Sequence, residues 1–315
     1  MKYILSVLLF SLTTISYGQH TNFNTQRNWS LNKKEIMFGF GATQFLGDLG
    51  GRDRIGTDYS LVDLDLPSTG FGGMIGYRYR FHPYWATTTS INVGLLRGDD
   101  ALTNEVIRQS RNLNFRSIIV GIHQRLEVIV LANEKVGNRY SLSRHSKRMK
   151  NHNEQLYLFG GIGVSYFNPK GNLNGKWTAL RPLKTEGQGM PDGAKEALPI
   201  TLTIPMGIGF RWGISRMWRM GIEATYVMTF SDYIDDVSTN YYDRNALAAN
   251  VGAESAYLSN PSVQNTTWFE SGQQRGDKKQ DDAYFYLNLT FYRNVTYKNQ
   301  GKQIRKNKWK GRYKF

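Results

Sequence analysis

Hydrophobic and polar positions alternate with a period of two along eight separate segments of the chain. The most regular segment is 200–212. Ile200, Leu202, Ile204, Met206, Ile208, Phe210 and Trp212 occupy one face of it, and Thr201, Thr203, Pro205, Gly207, Gly209 and Arg211 the other. Successive side chains of a strand point to opposite faces, so this is a strand with one apolar face and one small or polar face. Seven bulky side chains in a row, ending in Phe and Trp, are more than one face of a soluble sheet usually carries. In a membrane barrel the bulky face meets lipid, the small and polar face lines the lumen, and aromatics mark the interface.

Seven other segments carry the same pattern: 36–46, 71–81, 87–95, 112–130, 156–167, 219–230 and 283–292. Their apolar faces include Ile36, Phe38 and Phe40; Ile75, Tyr77 and Tyr79; Ile118, Val120 and Ile122; Met220, Ile222 and Met228; and Leu287, Leu289 and Phe291. Segment 112–130 is the least regular. The predicted fold is all-β: a transmembrane antiparallel β-barrel of eight strands, an even and closed set with both chain ends on one side. With the N-terminus in the periplasm, connections 47–70, 97–111, 168–198 and 231–282 become long extracellular loops. The connections after strands two and six are short, as periplasmic turns are. The connection 132–153 breaks this rule, because it is long and basic.

The first residues follow the plan of a secretory signal: Lys2, an apolar run over 4–12, then small Ser16 and Gly18. That run is short for an uncleaved spanning helix. The expected division is a signal peptide at 1–18, a periplasmic N-terminal segment at 19–34, the barrel at 35–297 and a basic periplasmic tail at 298–315. No later apolar run approaches the roughly 18 to 20 residues of a transmembrane helix. The sequence has no cysteine, which excludes disulfides, thiolate metal sites and cysteine nucleophiles.

Charge is unevenly placed. Of the formal +15, most sits in two segments. Residues 132–153 contain Lys135, Arg139, Arg144, Lys147, Arg148 and Lys150 against Glu134 alone. The tail contains Lys298, Lys302, Arg305, Lys306, Lys308, Lys310, Arg312 and Lys314 with no acid, and Trp309, Tyr313 and Phe315 are interleaved with them. Both belong to the periplasmic face of the predicted topology. Such a face suits an acidic protein, lipid phosphates or nucleic acid, or is simply solvated. Export and the barrel argue against nucleic acid, and the interleaved aromatics favour a docking surface for a periplasmic partner.

Five charges fall on lumen positions: Arg78, Arg80, Arg211, Arg219 and Glu223. Eight strands enclose an interior just filled by side chains, so these charges predict an ionic plug rather than a transport path. Catalysis has thin support. His20, His82, His123, His145 and His152 have no metal-ligand or nucleophile–base spacing, and no Ser/His/acid set meets at the rim. No cofactor is expected. Asp232, Asp235 and Asp236 are either a calcium site or a polar cap; they lack the glycine and terminal glutamate of an EF-hand loop.

Several stretches resemble one family, the PorG-type outer-membrane proteins of the type IX secretion system. They are Phe45-Leu46-Gly47-Asp48-Leu49, Arg111-Asn112-Leu113-Asn114-Phe115-Arg116-Ser117, Tyr157-Leu158-Phe159-Gly160-Gly161 and Tyr166-Phe167-Asn168-Pro169-Lys170. Further on come Gly175-Lys176-Trp177, Pro182 to Gly189, Ile204-Pro205-Met206-Gly207-Ile208-Gly209, Thr229 to Thr239 and Arg275-Gly276-Asp277. The resemblance covers 35–292. It implies an outer-membrane barrel that ties a periplasmic ring to the membrane, with the ring lipoprotein and its companion, PorK- and PorN-like or their gliding-machinery counterparts, as partners. The tail and the insert around Arg144 exceed the family core. The motif-bearing loops face outward, so they either bind an external partner or fold over the barrel mouth.

The expectation is a non-enzymatic outer-membrane component that anchors a secretion and motility complex, touching outer-membrane lipid and a periplasmic ring. The alternative is a small transport or adhesion barrel acting through its extracellular loops. A lipid hydrolase would need a serine or histidine whose replacement abolishes activity without affecting assembly.

Overall fold

A computed structural model describes residues 29, 32–49, 67–103, 105–133, 154–214, 217–262, 264, 266–278 and 280–295. Eight antiparallel strands close on themselves: β1 (Lys34–Leu46), β2 (Gly70–Arg80), β3 (Trp85–Asp99), β4 (Asn114–Asn133), β5 (Glu154–Leu173), β7 (Ile200–Gly213), β8 (Trp218–Thr229) and β9 (Ala283–Asn294). Each pairs with its neighbour in sequence, and β9 returns to β1. Closure leaves no open sheet edge, which strands need in order to lie in hydrocarbon. A ninth strand, β6 (Lys176–Ala179), pairs only with the far end of β5. No helix among the described residues is long and apolar enough to cross a membrane.

Alternation sets the two faces. Along β3, buried and outward residues succeed each other almost without exception. Outward positions form apolar rows across the wall, as in Phe40, Leu289, Ile222, Phe210 and Leu156, each opposite the next. Phe71 at 75%, Ile162 at 71% and Leu202 at 64% exposure would be poor residues to leave in water, and the belt they form marks a lipid-facing surface. Phe38 stacks on Phe291 and meets Trp218 edge-on at the end of the barrel where the chain enters.

The two ends differ. One carries the short β2–β3 and β7–β8 connections, the start of β1 and the end of β9; it is the turn end. The other, the loop end, carries the connections from β1 to β2, β3 to β4, β5 to β7 and β8 to β9. These contain α1 (Val106–Arg111), α2 (Arg244–Asn250) and α3 (Ala253–Ser259). Asp243 caps α2 by accepting from the Asn245 amide at 3.0 Å, and Asn112 ends α1 in the left-handed region.

The strands run longer than the periodicity alone predicts. β3 continues to Asp99 and β5 to Leu173, while β4 begins at Asn114 because the preceding residues are helical. β5 passes the top of β7, so its last residues need another partner, and β6 folds back to supply it. The turn between them, Asn174-Gly175, has positive φ at both residues, the conformation that a two-residue hairpin requires.

Candidate functional site: a lumen filled from both ends

The turn-end half of the lumen is ionic. Arg78 donates to Glu35 at 2.9 Å and to Glu127 at 2.6 Å. Arg219 approaches Glu35 at 3.5 Å, and Arg211 lies 3.9 Å from both glutamates. Thr88 also donates to Glu127. Higher in the lumen Arg125 pairs with Glu223 at 2.5 Å, and Tyr157 donates to the other oxygen of Glu223 at 2.9 Å. The guanidinium of Arg211 lies over the rings of Tyr157 and Tyr292, and that of Arg125 over Phe159. All of these side chains are buried.

β7 makes room for this. Its inward face carries Gly207 and Gly209, and a Cβ at Gly209 would lie 2.2 Å from the Tyr157 ring. The small face of one strand therefore accepts the aromatics of the next.

Of the five lumen charges read from the sequence, Arg78, Arg211 and Arg219 gather round Glu35. Glu223 binds Arg125. Arg80 lies at the turn end, where it donates to the Pro83 carbonyl at 2.5 Å. Glu35, Arg125, Glu127, Tyr157 and Tyr292 complete the network and were not singled out, although Arg125 and Glu127 share the inward parity of β4.

The loop-end half is apolar, then sealed by a cap. Phe45, Leu96, Phe115, Ile119, Phe167, Val227, Tyr284 and Tyr286 project inward from the strands. They pack against Leu49, Leu113, Leu180, Ile234, Val237 and Leu258 of the connections. The loops thus fold over the barrel mouth.

Polar contacts stitch the cap together across long stretches of sequence. Glu186 accepts from Arg275 at 2.9 Å, from the Ser238 and Thr239 amides and from the Thr239 hydroxyl. Arg275 also donates to the Asp236 carbonyl at 2.5 Å. Arg111 holds Asp100 and donates to the carbonyls of Asp48 and Arg275. Thr185 binds Asp236, and Ser255 and Ser259 donate to the carbonyls of Leu183 and Thr185.

Asp232, Asp235 and Asp236 do not converge on one point. Asp235 accepts from the Leu49 and Val237 amides, while Asp236 faces Thr185. No group of metal-ligating side chains occurs among the described residues. Burial raises these carboxyls: Asp236 to about 7 and Asp232 to about 8, with Asp48 and Glu186 adding to the rise at Asp232. Asp235 and Asp282 are raised well above the usual range by burial and by the surrounding aspartates.

Arg139, Arg144, Lys147, Arg148, Lys150, Lys302, Arg305, Lys306, Lys308, Trp309, Lys310 and Arg312 lie outside the described residues, as does the expected signal peptide. The residues that flank the two basic segments are described. Asn133 pairs with Glu154, and Asn294 pairs with Glu35, both at the turn end.

No protein-family model matches the chain, and no curated protein matches it in sequence. Solved structures do. Ail, the attachment invasion locus protein of Yersinia pestis, is 9% identical over 83% of this chain and 97% of its own, with a TM-score of 0.35. Neisserial surface protein A is 6% identical over 83% and 97%, with a TM-score of 0.35. The outer membrane protein OprG from Pseudomonas aeruginosa is 8% identical over 83% and 96%, with a TM-score of 0.31. At such identities the likeness is one of fold alone.

Proposed function

We propose that this chain is a non-enzymatic outer-membrane barrel that anchors the periplasmic ring of the type IX secretion system, through PorK- and PorN-like ring components or their gliding-machinery counterparts. The observation that carries this reading is the filled lumen. Ionic pairs occupy one half and apolar side chains the other, so the barrel offers no wide path for a solute and must act through its surfaces. The outward apolar belt supplies the membrane location.

The loop motifs point the same way. Glu186, Asp235, Asp236, Ser238 and Arg275 belong to the stretches that resemble the PorG type, and all are buried in contacts within the cap. They hold the mouth closed and are not a display for an external ligand. The turn end remains as the face for a partner, and both basic segments leave the barrel there. Arg139 to Lys150 and Lys302 to Arg312 would meet an acidic periplasmic surface, and the tail aromatics would add apolar contact.

The test is a pull-down in mild detergent from a tag in the exposed turn at Pro191-Asp192, with mass spectrometry of what co-purifies. Recovery of large periplasmic ring components, lost in a salt-sensitive way when 298–315 is deleted, supports anchoring. Recovery of the barrel alone from cells that make the ring supports the transport or adhesion alternative.

A further inference from the structure

Three cations stand in one row on the outward face of the wall. Arg97 of β3 is directly opposite Arg116 of β4, and Arg116 is directly opposite Lys170 of β5. Cross-strand neighbours have Cβ atoms about 5 Å apart, and like charges placed so destabilise a sheet. No carboxylate among the described residues makes an ion pair with any of the three. Asp99, the nearest acid along β3, instead accepts from the Ala101 amide. The guanidinium carbon of Arg116 lies over the Trp177 ring, 4.2 Å from its centroid.

The height of the row is equally specific. One step below it on the same face is the row Leu95, Ile118 and Asn168, and below that Val93, Val120 and Tyr166. Each step is about 7 Å along the strand. The cations therefore sit just past the lipid-facing belt and its boundary tyrosine, on the loop side, where hydrocarbon gives way to headgroups.

We infer that Arg97, Arg116 and Lys170 form a ledge that binds the phosphate groups of an outer-leaflet lipid. The acyl chains of that lipid would lie on the apolar rows below. A phosphate between the two guanidiniums accepts charge-assisted hydrogen bonds from both and converts a repulsive row into an attractive one. An amphiphile fits better than a soluble anion because the apolar rows continue directly beneath the charges. The inference rests on the membrane-barrel part of the proposed function and is independent of the anchoring role.

The test uses the purified full chain in detergent, titrated with bis-phosphorylated lipid A and followed by native mass spectrometry. Each charge removed lowers lipid retention by about fivefold, so Arg97→Gln/Arg116→Gln/Lys170→Gln lowers it by about a hundredfold. Dephosphorylated lipid A shows the same loss on the unaltered chain. Arg97→Lys/Arg116→Lys keeps most of the retention. Lys195→Gln/Lys278→Gln, which removes exposed cations elsewhere on the loops, leaves it unchanged. Folding of each variant is read from its heat-modifiable migration on gels, and Arg97→Gln alone serves if the triple variant does not fold. Retention unaltered in the folded variants overturns the inference. So does displacement of the lipid by millimolar inorganic phosphate, which would assign the row to a soluble anion.

Discussion

Arg275 and Glu186 are 89 residues apart in sequence and 2.9 Å apart in the fold, and neither is exposed. Their contact joins the two longest loops over the barrel mouth. Breaking a buried pair by removing one partner typically costs about 3–5 kcal/mol, because the other charge is left without compensation. Glu186→Gln or Arg275→Met should therefore open the cap. The expected readout is rapid cleavage of 174–199 and 230–282 by added protease, while the wall keeps its heat-modifiable migration. Equal resistance in variant and parent would show that the apolar contacts hold the cap without the pair.

The cap should also loosen as pH rises. Asp232 and Asp236 hold their protons to about 8 and about 7 in the closed cap, and burial and the neighbouring aspartates raise Asp235 and Asp282 as well. In an opened loop the same groups ionise near pH 4. The closed state binds more protons, so its advantage is full below about pH 4 and declines as pH rises through 7 and 8. Protease resistance of the cap should be greater at pH 6 than at pH 9, and Asp232→Asn should reduce the difference. Resistance that increases with pH would contradict the assignment.

The lower lumen makes a separate prediction. Glu127 stands between Arg78 and Arg211 and accepts from Thr88. Glu127→Gln leaves Glu35 alone to face Arg78, Arg211 and Arg219 in a buried site, at a cost of about 3–5 kcal/mol. Urea unfolding in lipid vesicles should show this loss, and Arg78→Met in the same chain should recover part of it. A change under about 1 kcal/mol, the size of an exposed pair, would mean that water reaches the network.

A lumen filled at both levels should not conduct in wide, stable steps. In planar bilayers the folded chain should give a flat baseline. Stepwise openings in the unaltered protein would show that the cap and the ionic network part together, and would restore transport as a reading.

Much of the wall was legible in the sequence, because a period of two and a lipid solvent leave little choice of face. Ile200 to Trp212 point where alternation puts them, and so do Arg78 and Arg219. Arg125 and Glu127 follow from the same parity, but the irregular segment around them obscured it. The Asn174-Gly175 turn carried a hairpin signal for β6, and Asp243 a helix-start signal for α2; both were local and readable. The cap was not. Glu186 meeting Arg275, or Asp235 meeting the Leu49 amide, depends on how two long loops cross, and no local pattern encodes that crossing.

Site-specific photocrosslinking in intact cells tests the central claim most directly. A photoreactive residue placed at Arg144 or Trp309 reports on the turn end, and one at Pro191 or Tyr257 on the cap. The account predicts crosslinks to large periplasmic proteins from Arg144 and Trp309 and none from the cap positions. Crosslinks to an exported or external protein from Pro191 or Tyr257, with silence at Arg144 and Trp309, would contradict it.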